Sequence, residues 1–136
     1  MKPFVLHLQS ATQYERIDGV TSFVGEDRSG KFGILAGHAR MITSLVFGLA
    51  RYRTGDDVWH YLALPSALLY FVDNRLTVNT RRYLSDTDYE RISSALEEQL
   101  RLEEEKLHGM KDSLHRLEAE MFKRLQRMER GEEGSS

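Results

Sequence analysis

The spacing of apolar and polar residues changes once along this chain, near Leu84. Before that point apolar residues recur every second position. Phe4, Leu6 and Leu8 alternate with Val5, His7 and Gln9, which predicts a strand with one buried face. Residues 20–24 form a second run, closed by Gly25-Glu26-Asp27, and residues 32–35 read as a third strand. Residues 41–52 are largely apolar and broken by Gly48, and Thr54-Gly55-Asp56-Asp57 is a turn. Residues 59–64 and 68–72 follow, with Pro65-Ser66 between them. Asp73-Asn74 then separates Val72 from Leu76, the signature of a tight hairpin. Many short strands divided by turn signals predict an antiparallel β-sandwich or flattened barrel over residues 1–84, enough chain for a modest core.

After Leu84 the period becomes helical. Ser85 and Asp88 have the spacing of a capping box. Tyr89, Ile92, Leu96 and Leu100 then lie three or four apart, on one helix face. Leu107, Met110, Leu114, Leu117, Met121, Leu125 and Met128 continue the stripe, and Gly109 interrupts it in propensity but not in phase. The expected form of residues 85–131 is therefore a helical hairpin turning near residues 108–111, which shelters an apolar stripe that a lone helix leaves wet. One long helix is the alternative, since a single glycine costs only about 1 kcal/mol relative to alanine. Residues 132–136 are polar and are expected to fray.

Composition narrows the class of protein. There is no Cys, which excludes disulfides and thiolate metal sites and fits a reducing compartment. The start lacks the apolar block of a signal peptide, and no apolar run is long enough to span a bilayer, so any membrane association is expected through a partner, without insertion. Residues 1–84 carry 10 Lys/Arg against 7 Asp/Glu, and residues 85–136 carry 9 against 14. Neither part has the one-sided basic balance of a nucleic-acid binder. His7, His60, His108 and His115 show no ligand spacing, so no metal is expected. No nucleophile, base and orienting group can be assembled, so no catalytic residue is assigned.

The densest motif is Gly30-Lys31-Phe32-Gly33-Ile34-Leu35-Ala36-Gly37-His38-Ala39. Gly25 to Lys31 also spells Gly-x-x-x-x-Gly-Lys, but Phe32 stands where a phosphate-binding loop needs Ser or Thr, and a strand follows where it needs a helix. Three glycines in eight positions indicate forced turns or close approach to another surface. The run resembles a signature of the epsilon subunit of F-type ATP synthases, Gly-x-hydrophobic-Gly-Ile-Leu-Pro-Gly-His-Ala-Pro. Gly30, Gly33, Ile34, Leu35, Gly37, His38 and Ala39 match, while Ala36 and Arg40 stand where that family usually has proline. Pro65-Ser66 lies near where the family has a Gly-Gly pair. These departures resemble a divergent branch, the alternate (N-ATPase-type) F-type ATPase, which is sodium-linked in some members.

The resemblance implies a non-catalytic rotor subunit at the cytoplasmic face of the cell membrane. Its sandwich would bind the gamma subunit and rest on the polar loops of the membrane c-ring, coupling ring rotation, driven by sodium or protons, to ATP synthesis or hydrolysis. On the matching loops, Asp27, Arg28, Lys31, His38 and Arg40 become candidates for ring contact, with charge-assisted hydrogen bonds from the cations. The helical tail would regulate hydrolysis or act as a strut. Its basic end, Lys123, Arg124, Arg127 and Arg130, suits either the negative end of a helix or contact with the catalytic head. Asp88 and Arg91 match half of a nucleotide-binding motif of some members, which makes ATP a candidate regulatory ligand; no other cofactor is expected. The rival reading is an unrelated sandwich that dimerises through a coiled-coil arm over residues 107–128, against which Arg124 falls on the seam.

Overall fold

The computed structural model describes residues 2–129. Its elements are β1 (Phe4–Gln9), β2 (Tyr14–Asp27), β3 (Gly30–Ile34), β4 (Met41–Leu45), β5 (Gly48–Thr54), β6 (Trp59–Leu64), β7 (Ala67–Val72), β8 (Arg75–Thr80), β9 (Leu84–Asp86) and α1 (Tyr89–Glu129). The chain divides into two compact units, Met1–Glu97 and Glu98–Ser136.

In the first unit the strands run in the order β4-β7-β8-β1-β2-β5-β6-β9, and β3 pairs with β2. The sandwich is one sheet bent on itself, and β2 makes the bend. Its first half pairs with β1, from Tyr14 to Val20, and its second half pairs with β5 and β3. Between the halves the register slips against both neighbours, and Gly19 takes a φ of +71°. An extra residue of this kind sharpens strand twist and lets the ribbon turn. The two halves then share one core. Leu6, Leu8, Leu69, Phe71, Leu76 and Val78 come from one, Phe23, Tyr52, Leu62 and Leu64 from the other. Phe4 and Phe71 meet edge to face at 5.6 Å. The alternation read from the sequence is the alternation of burial: Phe4, Leu6 and Leu8 face the core.

The Asp73-Asn74 hairpin forms as expected, with φ of +50° and +58° at those residues. The start of the helix differs from expectation. Ser85 lies in β9, paired through Leu62, so the sheet continues past Leu84 to Asp86. Asp88, not Ser85, caps the helix: its carboxylate accepts the Arg91 amide at 3.1 Å. The first turn is held to the sheet unit through Tyr89, whose ring meets Tyr61 at 5.3 Å, and through buried Ile92.

The hairpin at residues 108–111 is not the form adopted. α1 runs from Tyr89 to Glu129 through Gly109, the long-helix alternative. One glycine is a small penalty against 41 helical residues. Arg101 also bridges Glu98 and Glu105 on the helix surface, a spacing that adds modest support. The seven apolar residues of the stripe from Leu107 to Met128 are all exposed, and so is Phe122 beside them.

Candidate functional site

The residues singled out on the two motif loops lie along one rim of the sandwich. β3 pairs only with β2, and β4 only with β7, so each leaves an edge free among the described residues. Asp27, Arg28 and Lys31 sit at the β2–β3 hairpin. His38 and Arg40 sit beyond the other end of β3, on the order of 13 Å away at about 3.3 Å per residue. The five are therefore two groups on one rim and not a single cluster.

Asp27 holds the first group in shape. Its carboxylate accepts the Ser29 amide at 2.9 Å, the Ser29 hydroxyl at 2.5 Å and, across to β4, the Thr43 hydroxyl at 2.7 Å. These hydrogen bonds, chiefly those of the Ser29 and Thr43 hydroxyls, lower the pKa of the carboxyl. Beside it the Val46 amide donates to the Glu26 carbonyl at 3.0 Å, so the β2–β3 hairpin is tied to the end of β4. Asp27 thus acts as an internal brace, while Arg28 and Lys31 are exposed. A shallow depression of about 860 Å³ opens here, between Arg28, Thr43, Phe47 and Ser66.

The second group is pinned from elsewhere. Gly37 has a φ of +83°, a conformation that strains any residue with a Cβ. Its amide donates to the Asn74 side-chain oxygen at 2.6 Å, anchoring the loop to the β7–β8 hairpin. The His38 amide donates to the Leu35 carbonyl at 3.1 Å, and its ring lies edge-on to Phe71 at 5.9 Å. Nδ1 of His38 donates to the Ala39 carbonyl at 2.7 Å, which leaves Nε2 as an acceptor in the neutral ring. Gly30 also has positive φ, at +124°, whereas Gly33 is an ordinary strand residue.

Asp88 and Arg91 are both engaged within the chain. Asp88 caps α1, and Arg91 grips Asp86 with two nitrogens at 2.6 and 3.1 Å. The Arg91 guanidinium holds the Asp86 carboxyl down at about 2. Lys123 and Arg124 are exposed near the end of α1, and Arg127 lies in its last turn. Arg130 and residues 132–136 lie outside the described residues. A further polar contact escaped the sequence reading. The Tyr83 hydroxyl donates to Glu15 at 2.6 Å, and burial together with that carboxylate pushes the phenol up to about 12.

Residues 6–85 match the family model described as the ATP synthase delta/epsilon chain beta-sandwich domain. The chain belongs to the ATP synthase delta/epsilon chain family. It is 30% identical over 111 residues to ATP synthase epsilon chain 2 of Cereibacter sphaeroides, covering 81% of this chain and 76% of that protein. It is 32% identical over 95 residues to the ATP synthase epsilon chain of Citrifermentans bemidjiense, covering 67% and 68%. Its fold is also that of a chain in the Euglena gracilis mitochondrial ATP synthase, with a TM-score of 0.58 at 20% identity. That likeness covers 71% of this chain and 62% of the solved one, so the chain spans a little under two thirds of it. Membership of the family makes this an epsilon-type chain, and the signature that carried the resemblance forms the β3 rim described above.

Proposed function

We propose that the chain is a non-catalytic subunit of the central stalk, turning with the rotor of an F-type ATP synthase on the cytoplasmic face of the cell membrane. The observation that carries this reading is the coincidence of the family match, residues 6–85, with the nine-stranded unit. No helix among the described residues is long and apolar enough to cross a membrane, so its place at the membrane depends on partners. The sandwich binds the gamma subunit. Its β3–β4 rim meets the polar loops of the c-ring, with Arg28, Lys31, His38 and Arg40 as contacts and Asp27 bracing the first loop. The similarity to an epsilon chain 2, together with Ala36 and Arg40 in the motif, favours the alternate branch of these enzymes.

The tail contacts the catalytic head and restrains ATP hydrolysis. What supports this is the long helix with its exposed stripe, a surface suited to burial against another chain. The test is an assembled enzyme carrying the full chain, compared with one in which residues 110–136 are deleted. The deletion raises ATP hydrolysis if the tail is a brake. Unchanged hydrolysis over a range of ATP concentrations makes the tail a strut. Charge reversal at Arg28 and Arg40 together weakens coupling between head and membrane while leaving the sandwich folded. Full coupling in such a variant would remove the rim from the ring contact.

A further inference from the structure

We infer that the outer face of the β2–β5–β6 half of the sandwich is a docking surface for an acidic protein segment of another subunit, with an apolar side chain anchored between carboxylates. The inference rests on the stalk-subunit reading and adds to it the face and the chemistry of the partner.

Strand register defines the face. Val24 pairs with Arg51, Arg51 with Tyr61, and Arg53 with Trp59, and paired residues in antiparallel strands share one side of the sheet. On that side the Arg51 and Arg53 guanidiniums both lie over the Trp59 ring, 4.3 and 4.8 Å from its centroid. Stacking of this kind fixes both cations on a rigid platform. Next to it is a depression of about 260 Å³ with Val24, Leu49, Tyr61 and Tyr89 in its lining and Glu26, Lys31 and Arg51 as its charged members. It is of a size to take one apolar side chain.

The balance of charge on this face is positive. Lys31, Arg51 and Arg53 have no ion-pair partner among the described residues. The acids of the face are Glu26, opposite Lys31, and Asp86, which Arg91 already holds. Arg51 and Arg53, which face no acid across the strands, and Lys31, opposite Glu26, leave a positive balance beside an aromatic and aliphatic depression, which complements a segment with carboxylates on either side of an apolar residue. Trp, Tyr and Arg are also the residues that dominate binding energy at protein interfaces. Guanidiniums pre-positioned on an indole lose less freedom on binding than free ones.

The test uses the full chain, fluorescently labelled, and the ATP synthase head with gamma purified without this subunit. Binding is followed by anisotropy between roughly 0.05 and 0.5 M salt. The inference requires that Arg51→Glu and Trp59→Ala each weaken binding by about ten-fold or more at low salt. Arg75→Glu, an equal charge change on β8, should stay within about two-fold. Should Trp59→Ala fail to fold, Arg51→Gln with Arg53→Gln takes its place, read alongside an unchanged melting temperature. Equal binding by wild type and face variants overturns this inference and leaves the stalk reading standing. An equal loss with Arg75→Glu also overturns it, since bulk charge would then explain the effect. Failure of the wild type to bind the head removes the stalk reading and this one together. Vesicles rich in anionic phospholipid are the second probe. If Arg51→Glu abolishes vesicle binding but leaves head binding intact, the face serves a lipid surface and the protein-segment proposal is wrong.

Discussion

The loop that carries His38 is held by one side chain, and substitution at Asn74 measures how tightly. Asn74 does two separate things. It occupies a left-handed conformation, φ +58°, at the tip of the β7–β8 hairpin, and its side-chain oxygen accepts the Gly37 amide at 2.6 Å. Asn74→Asp keeps an acceptor and tolerates the conformation, so its cost should be within about 0.5 kcal/mol. Asn74→Gly keeps the conformation and loses the hydrogen bond, a loss of about 1 kcal/mol. Asn74→Ala loses both, and the left-handed strain adds roughly 1–2 kcal/mol. For a unit of this size about 1 kcal/mol moves the melting temperature by roughly 4–8 °C, so the glycine variant should melt about 5 °C lower and the alanine variant about 10 °C or more lower. Denaturant unfolding of the full chain followed by tryptophan fluorescence ranks the series, because Trp59 lies in the sheet. Hydrogen exchange at the Gly37 amide reports the pin directly, and should quicken in the glycine and alanine variants but not in the aspartate one. Equal stability of the glycine and asparagine forms, with Gly37 exchange unchanged, would refute the pin. Equal stability of the glycine and alanine forms would refute the strain argument.

Other expectations follow from the same geometry. Tyr83 is held neutral, so its contribution is complete below the unfolded phenol's pKa near 10 and is lost as pH rises toward about 12; that is a loss of about 2–3 kcal/mol in alkali, and Tyr83→Phe should abolish this part of the alkaline drop while costing about 1 kcal/mol at neutral pH. Asp86 runs the other way, since its pKa is lowered to about 2: its stabilisation is present above the unfolded carboxyl's value near 4 and is lost as pH falls toward 2. Arg91→Ala should return the Asp86 carboxyl toward its ordinary range in an NMR titration and fray the first turn of α1; an unmoved titration would mean that the ion pair does not form in solution. A Cβ added at Gly109 meets nothing within 4 Å, so Gly109→Ala should raise tail helicity by the full propensity gain, about 1 kcal/mol, seen as a higher helix melting temperature by circular dichroism.

The sandwich was readable because burial alternates strictly along β1, β7 and their neighbours, and a period of two survives in the sequence as a pattern of residue types. The Asp73-Asn74 turn was readable because few residues accept positive φ at both central positions. β9 was not, since Leu84-Ser85-Asp86 is three residues long and carries no alternation of its own. The start of the helix was misassigned for a related reason. Ser85 and Asp88 have capping-box spacing, but Ser85 is taken by the sheet, and Asp86, bound by Arg91, leaves Asp88 as the cap. The contacts that shape the rim and the sheet closure join residues 16, 37 and 68 positions apart, through Thr43–Asp27, Gly37–Asn74 and Tyr83–Glu15. No local pattern encodes such pairs. The motif loops were found through the family signature, and their division into two groups appears only once β3 is placed between them.

The long-helix form of the tail raises the question of what covers it, and one measurement separates the two answers. The seven apolar side chains of the stripe from Leu107 to Met128 are each 56–64% exposed. Full burial of a Leu or Met side chain is worth about 1.5–3 kcal/mol, so recovering even half of that for seven residues gives roughly 5–10 kcal/mol. That is as large as the stability of a whole domain, and a helix of this kind should be covered whenever a suitable surface is present. A second copy offers such a surface only at a cost. With Leu107, Met110, Leu114, Leu117 and Met121 on a heptad seam, the next seam position is Arg124, and a charge there weakens a two-stranded coil. A partner subunit can place a carboxylate opposite Arg124, which a second copy in register cannot do. The isolated chain should therefore sediment as a monomer or a weak, concentration-dependent dimer, and Arg124→Leu should tighten self-association. A tight dimer of the wild-type chain at low micromolar concentration, unchanged by Arg124→Leu, would favour the coiled-coil arm. It would also mean that the stripe is satisfied by another copy, leaving little free energy with which the tail could respond to the catalytic head.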